Sequence, residues 1–128
     1  MTTVPELESL RKHFAEMSAL RAAGALMHWD QATYLPENAG PVRGRHLSVI
    51  ETIVHGMATS PQIGRALDAL DKKGFTPDSD EACLLRVARR DFENALRVPS
   101  EFRAEQSLHA SHSYDVWRKA RLQNDFQM

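Results

Sequence analysis

Apolar residues recur every three or four positions near the start of the chain, and this spacing constrains the fold more than any other feature. Charged side chains such as Glu8, Arg11 and Lys12 fall between them. Such a period places apolar groups on one face of an α-helix. The stripe consists of Leu7, Leu10, Phe14, Met17, Leu20 and Met27. It predicts one long amphipathic helix over about residues 4–29.

The residues that flank this stripe fit the ends of a helix. Thr3 is placed to cap it, Pro5 suits a first turn, and Glu6 lies where the helix dipole favours negative charge. Residues 30–40 are rich in turn formers and predict an ordered turn or loop. Pro41 is then expected to open a second helix.

Two shorter helices are predicted after this loop. The apolar stripe of the second helix is formed by Leu47, Ile50, Ile53 or Val54, and Met57. Ser60 followed by Pro61 is a cap-plus-proline start for a third helix, and Gly74 is its stop signal. The inward residues of the third helix are predicted to be Ile63, Leu67 and Leu70.

A fourth and a fifth helix complete the predicted fold. Asp78 with Glu81 matches the capping box that begins many helices. The predicted apolar face of the fourth helix consists of Leu84, Val87, Ala88, Phe92, Ala95 and Leu96. Pro99 suits the first turn of a fifth helix that continues to about residue 123. Because no segment alternates as a strand does, the sequence predicts an all-α bundle of about five helices in one domain, residues 1–128.

Composition and charge argue against several classes of partner. The 16 Lys and Arg residues nearly balance 17 Asp and Glu residues, giving a formal net charge of −1, and like charges do not form long runs. We therefore expect no nucleic-acid partner. Apolar windows of membrane-spanning length and a signal peptide are not found, and Cys83 has no partner for a disulfide. These features predict a cytoplasmic protein without a membrane anchor.

The histidines are candidates for chemistry, because a helical zinc peptidase needs two histidines one turn apart with a glutamate beside the first. The six histidines do not form that motif. His109 and His112, three residues apart on the predicted fifth helix, are a candidate for two ligands of a metal site. Alternatively they belong to a polar seam between helices, together with Gln106, Ser113 and Trp117 on the predicted inward face.

Other catalytic signatures are weak. Asp30 and Glu37 flank the predicted loop and form a candidate acid/base pair, against the alternative of hydrogen bonding within the loop. The sequence lacks both the nucleophile-elbow motif and a Gly-rich phosphate loop. The residues by themselves therefore predict a five-helix domain without a catalytic assignment.

Three runs, with a fourth matching stretch between the second and the third, lie in an order that carries a family resemblance. The run HWDQATYLPENAG, residues 28–40, resembles a WDQxTxMP signature, with Leu35 where methionine is usual. The run TSPQIGRALDAL, residues 59–70, is similar to a helix start that reads TSPEIG. The runs RRDFENALRVPSEF and WRKARLQNDF, residues 89–102 and 117–126, are similar to RRDYExAxKVP and WxxARxxNDF. Together they resemble the start of carboxypeptidase Taq-type metallocarboxypeptidases.

The resemblance implies an almost wholly helical enzyme that is several times longer than this chain. Its members use one divalent metal, zinc or cobalt, to remove C-terminal amino acids from peptide substrates. In the family the metal ligands and the catalytic glutamate lie downstream of the run that ends at Phe126. No catalytic residue and no metal ligand is therefore assigned here, no cofactor is expected in this chain, and the chain alone is predicted to be inactive.

The family-motif positions are expected to tie helices together or to line the substrate groove. They are Trp29, Asp30, Gln31, Pro36, Trp117, Arg118, Arg121, Asn124 and Asp125. Two alternatives remain open. One is a stand-alone helical protein-interaction module, and the other is an unrelated helical bundle with a metal site at His109 and His112.

A part of a larger helical enzyme is expected to expose apolar side chains that the rest of the enzyme covers. We therefore predict self-association of the isolated chain. The expected contributors are Leu7, Leu10, Phe14 and Met17 on the first helix, and Trp117, Leu122 and Phe126 at the end of the chain.

Overall fold

The computed structural model describes residues 4–125 and 127, which form five α-helices and one short 3₁₀-helix. The α-helices are α1 (Pro5–Thr33), α2 (Gly40–Ala58), α3 (Pro61–Asp71), α4 (Asp80–Leu96) and α5 (Ser100–Gln123), and the 3₁₀-helix is Glu37–Ala39. The described residues contain no strand, so the all-α prediction is confirmed. Within these residues, no helix combines the length and the apolar character needed to cross a membrane.

The first helix is longer than predicted. It continues to Thr33. A proline disfavours helical backbone at the residue before it, and the first proline after Pro5 is Pro36. The backbone N–H of Leu35 donates to the carbonyl of Asp30 at 2.9 Å and closes the helix end. The predicted loop over residues 30–40 is therefore wrong in part, since it consists of a last helical turn, a short turn and the 3₁₀-helix.

The starts of the first three helices follow the proline signals. The predicted cap Thr3 lies outside the described residues, and Val4 stands at the N-cap position of α1 without a capping side chain. The second helix begins at Gly40, one residue before the predicted Pro41. For α3 the prediction is confirmed, because Ser60 is the N-cap and its hydroxyl accepts from a backbone N–H at 3.2 Å.

The predicted cap of α4 is wrong by one residue. Asp78 has a φ of +63°, in the left-handed region, so it precedes the N-cap position. Ser79 has extended backbone there, and its Oγ accepts from the N–H of Ala82 at 3.2 Å. Aspartate and serine are equally good caps, so the backbone conformation of the preceding turn decides between them.

The hydrophobic core lies between the start of α1, α3 and α4. Leu10, Leu67 and Leu70 are at most 1% exposed. All three residues predicted to face inward on α3 are buried, so that prediction is confirmed. The core consists of Leu7, Leu10, Ile63, Leu67, Leu70, Leu85 and Ala88. This burial corrects one expected site of self-association, because Leu7, Leu10 and Met17 on α1 are already buried.

The inward face of α4 is turned slightly from the predicted one. Leu85 and Ala88 are its buried residues, whereas Val87 and Leu96 are 44% and 55% exposed. Cys83, on the same helix, is half-buried. The predicted face therefore had the right period but was centred toward the solvent side of the helix.

The α1 and α2 helices run antiparallel, as the contacts between their ends show. Nε2 of His13 on α1 donates to the carbonyl of Met57 near the end of α2 at 3.1 Å. At the other end of the pair, Nη1 of Arg43 lies 3.4 Å from the carbonyl of Met27. The α1 and α2 helices are thus held together at both ends by side-chain-to-backbone bonds.

An ion pair connects the start of α1 to the turn after α3. Nζ of Lys73 donates to Oε2 of Glu6 at 2.8 Å, and this hydrogen bond holds the pKa of the Glu6 carboxyl below its ordinary value. A depressed carboxyl pKa adds stability above the pKa of the unfolded chain. That contribution is lost as the pH falls through the folded-state pKa, and it is small because both side chains are exposed to solvent.

Two arginines on α4 form ion pairs near the protein surface. Nη2 of Arg89 contacts the carboxylates of Asp68 and Asp71 on α3. Arg90 pairs with the neighbouring Asp91 at 2.9 Å. The first of these pairs adds a polar contact to the outer edge of the α3–α4 interface.

Candidate functional site

The glutamine of the WDQ run lies inside the protein and joins α1 to α5. Gln31 is 3% exposed, and its Nε2 donates to Oγ of Ser111 at 3.0 Å. Oδ1 of Asp115 lies 3.4 Å from the same nitrogen. A buried amide needs such partners, because an unsatisfied one costs about 1–3 kcal/mol. Gln31 therefore fixes the end of α1 against the middle of α5.

Small residues let α2 and α5 approach closely beside this glutamine. A β-carbon at Gly40 would clash with the carboxylate of Asp115. One turn later, a β-carbon at Gly44 would lie 3.2 Å from both Cβ and Oγ of Ser111. One further turn along, the hydroxyl of Ser48 donates to a backbone carbonyl of α5 at 3.0 Å. We call this contact of α2 with α5 the small-residue seam.

The aspartate of the WDQ run joins α1 to α2. The carboxylate of Asp30 pairs with Nη2 of Arg43, and the two side chains are 33% and 19% exposed. Asp30 and Gln31 thus anchor one helix end to two neighbouring helices. Glu37, the proposed acid/base partner of Asp30, is exposed on the 3₁₀-helix, and Arg43 is the charged group that Asp30 contacts.

Two other positions of the same run face the solvent. Trp29 is 58% exposed and forms an edge-to-face contact with Tyr34, with ring centroids 5.6 Å apart. Pro36 is exposed, and its carbonyl accepts from the N–H of Ala39 at 2.9 Å at the start of the 3₁₀-helix. Trp29 is therefore an aromatic surface group, and Pro36 is a turn residue.

The tryptophan near the end of α5 is also a surface group. Trp117 is 53% exposed, lies 5.9 Å from the ring of Tyr114, and has the guanidinium carbon of Arg121 at 5.4 Å from its ring centre. Arg118 is half-buried on the neighbouring face of the helix. The Arg121 contact has cation–π geometry, which at an exposed site contributes about 0.5–1 kcal/mol.

Asn124 and Asp125 form the C-terminal cap of α5. Asn124 has a φ of +56°, the left-handed conformation that asparagine adopts more readily than most residues. The N–H of Asp125 donates to the carbonyl of Ala120 at 2.9 Å, and its Oδ1 accepts from the N–H of Gln127 at 3.0 Å. The next residue of the run, Phe126, lies outside the described residues.

The histidine pair on α5 does not lie at a helix interface. His109 and His112 are both exposed. Gln106, Ser113 and Trp117 are exposed as well, so the predicted polar seam along this face is wrong. The buried residue of α5 is Ser111, because the helix packs through its small residues.

The described residues do not fit a catalytic metal ion. In residues 4–125 and 127, no three His, Cys, Asp or Glu side chains are grouped so that they could hold one. His109 and His112 therefore have no third ligand within this part of the chain, and no chemical step is assigned to a metal here.

The contacts of Asp30 and Gln31 with α2 and α5 form a junction. Three of the groups in this junction were not predicted from the sequence. Arg43, Ser111 and Asp115 pair with the WDQ run, but none belongs to a recognised motif. A signal for the seam was present, because Gly40, Gly44 and Ser48 recur at the four-residue spacing that puts them on one helix face.

A second feature is a cavity of about 700 Å³ that opens between α1, α2 and α4. Its walls are mainly apolar, and the start of α5 contributes Arg103. His55 lines the cavity and is 6% exposed. We call this cavity the trough.

The comparison with known families identifies the class of protein to which these helices belong. The model of the carboxypeptidase Taq (M32) metallopeptidases matches residues 9–128, which places the chain among the metallopeptidases. The chain belongs to the carboxypeptidase Taq (M32) family. This membership excludes the alternative of an unrelated helical bundle.

Two curated relatives show how much of such a protein the chain represents. It is 28% identical over 129 aligned positions to thermostable carboxypeptidase 1 of Thermus thermophilus, covering 99% of this chain and 25% of that protein. It is 24% identical over 127 positions to carboxypeptidase 1 of Bacillus subtilis, covering 96% of this chain and 25% of the relative. The chain thus spans about a quarter of the length of the curated relatives it matches. No solved structure matches it.

Proposed function

We propose that this chain is the N-terminal helical part of a metal-dependent carboxypeptidase that removes C-terminal amino acids from peptides. The observation that carries the proposal is the family match over residues 9–128, together with relatives that are about four times as long. In this proposal the metal ion, zinc or cobalt, is held by residues outside the present sequence. When bound it would polarise the scissile carbonyl and activate a water molecule.

The role proposed for the present residues is to hold a rigid helical wall beside the peptide groove. Support comes from the junction, where Asp30 and Gln31 fix the end of α1 to α2 and α5. Trp29 and Trp117 are exposed aromatic groups, and we propose that they contact other parts of the enzyme or its substrate. The single Cys83 fits a reducing compartment, and we place the enzyme in the cytoplasm.

The proposal is tested by the coding sequence and by the activity of two proteins. We expect the reading frame to continue past Met128 and its complete product to release C-terminal residues from blocked dipeptides in the presence of zinc or cobalt. The purified 128-residue chain is expected to release none, because its described residues do not group three metal ligands. Amino-acid release is measured with and without a chelator.

Two outcomes would contradict this function. A stop codon directly after Met128 would favour the alternative of a stand-alone interaction module. Metal-dependent release by the 128-residue chain, persisting after contaminating peptidases are removed, would show that the chain carries its own catalytic groups.

We also propose that the isolated chain self-associates, through surfaces different from most of those expected from the sequence. On α2, Val42, Val49 and Ile53 are 43%, 58% and 48% exposed and share one helix face turned away from α1 and α5. At the end of α5, Trp117 and Leu122 are 53% and 76% exposed. Apolar patches of this kind favour association with another protein surface.

Sedimentation over a wide range of protein concentration tests this proposal. The apparent mass is expected to rise with concentration, and the double substitution V49S/I53S is expected to weaken that rise. Thr52→Ser, a polar exposed position on the same helix, is the matched control and should leave it unchanged. A chain that stays monomeric at every concentration would contradict the proposal. It would favour the interpretation that these residues form a self-sufficient domain.

A further inference from the structure

We propose that the trough between α1, α2 and α4 binds one helix from the rest of the enzyme. That helix belongs to the part of the polypeptide that the relatives possess and this sequence does not include. The inference rests on the proposed function, because it requires the chain to be a piece of a longer enzyme. It goes beyond that function by naming where the rest of the enzyme packs and in what form.

The shape of the trough fits a helix. Its α1 wall extends from Phe14 to His28 and its α4 wall from Leu84 to Ala95. At the helical rise of about 1.5 Å per residue, these walls cover about 21 Å and about 17 Å. A helix of roughly eleven to fourteen residues would span these lengths, and helices pack their side-chain ridges into the grooves of neighbouring helices.

Small side chains in the walls allow a helix backbone to come close. They are Gly24, Ala25, Ala58, Ala88 and Ala95. Larger apolar groups between them form the rest of the surface. A helix whose apolar face presents side chains to these recesses would pack as knobs do into holes.

The trough is an extension of the hydrophobic core, which argues for a permanent occupant. Ile63 and Ala88 are members of the core cluster and also line the trough. Phe14, Leu84 and Phe92 pack against the core and line the trough as well. A surface continuous with a core is completed by another element of the same fold, since interiors are packed to nearly uniform density.

The charges around the trough are balanced. Arg21 and Arg103 are basic, and Glu51 and Asp91 are acidic. This balance favours a helix with mixed charges beside its apolar face over a uniformly charged peptide. The length of the relatives supplies the source, since about three quarters of their residues lie outside the matched part.

The first test compares thiol labelling of the 128-residue chain and of the complete reading-frame product, both with Cys83→Ser. Val87→Cys introduces a thiol on the trough wall, at a position that is 44% exposed here. Glu93→Cys is the control, on an exposed position of α4 outside the trough. The thiol at position 87 is expected to react at least about tenfold more slowly in the complete product, with a smaller change at position 93.

Photo-crosslinking of the complete product identifies the occupant. A benzophenone side chain replacing Val87 is expected to couple, within one molecule, to residues beyond position 128 that are three or four apart, as on one helix face. Equal labelling changes at the two positions, coupling to a second copy, or no coupling would each overturn the proposal. These readouts do not depend on peptide cleavage, so the helix proposal can fail while the carboxypeptidase activity stands, and the reverse.

Discussion

Replacing Leu67 with alanine is expected to lower the free energy of unfolding of the 128-residue chain by about 2–5 kcal/mol. Leu67 is 0% exposed and lies on the middle helix of the core, where α3 contacts both α1 and α4. Truncation removes buried methyl groups and leaves a cavity that the surrounding helices can fill only in part. Single domains are stable by about 5–15 kcal/mol, so the loss is a large share of the total.

Denaturant unfolding followed by circular dichroism measures this change. The matched control is Leu26→Ala on α1, where the leucine is 69% exposed. The control is expected to change the free energy of unfolding by less than about 0.5 kcal/mol. If the two substitutions had similar effects, α3 would not be the centre of the core.

The predictable parts of this fold are those in which large apolar residues recur at helical spacing. On α3 the residues Ile63, Leu67 and Leu70 were predicted to face inward, and each is buried. The proline signals also placed the starts of α3 and α5 to within one residue. In these segments the hydrophobic period and the cap point to the same answer, so local sequence is sufficient.

Pairing between helices could not be predicted in the same way. The stripe with Leu7 and Leu10 was correctly assigned to one face of α1, but it was expected to be exposed and to drive self-association. In the structure Leu7 and Leu10 are buried in one core cluster with residues of α3 and α4. A stripe shows that a helix needs a partner, and it does not show whether the partner lies in the same chain.

The inward face of α5 was mispredicted because its buried residue, Ser111, is small and polar. A helical period is recognised mainly from bulky side chains, so the face with Trp117 was predicted to be inward, and Trp117 is 53% exposed. The helix instead packs through Ser111, because the facing positions of α2 are glycine and serine. Small and polar seam residues carry little hydrophobic signal, although their close approach fixes the helix position.

The candidate site shows the same limit. Gln31 was selected because it belongs to a motif, yet its partners Ser111 and Asp115 come from a helix about 80 positions away. Such a network depends on tertiary packing and has no local sequence pattern. The motif predicted that the glutamine ties helices together or lines the substrate groove, and the structure places its side chain against α5.

Gly44→Val is expected to destabilise the chain by about 1–3 kcal/mol. A β-carbon at Gly44 would lie 3.2 Å from Cβ and Oγ of Ser111 and 3.3 Å from a methyl carbon of Leu108. Valine adds two further methyl groups to a contact that is already tight, so α2 and α5 must separate. Separation also weakens the hydrogen bond that Gln31 donates to Ser111.

The same substitution at Gly56 is the matched control, since this glycine lies on the same helix and a β-carbon there meets no atom within 4 Å. Valine has a somewhat better helix propensity than glycine, so Gly56→Val is expected to be neutral or stabilising by a few tenths of a kcal/mol. Propensity acts in the same direction at both positions, and the difference between the two variants therefore isolates the cost of crowding the seam. Denaturant midpoints at constant m-value measure the difference in the free energy of unfolding between the two variants. A Gly44→Val variant as stable as Gly56→Val would show that α5 is not held against α2 at this distance, and the role assigned to Gln31 in joining α1 to α5 would fail with it.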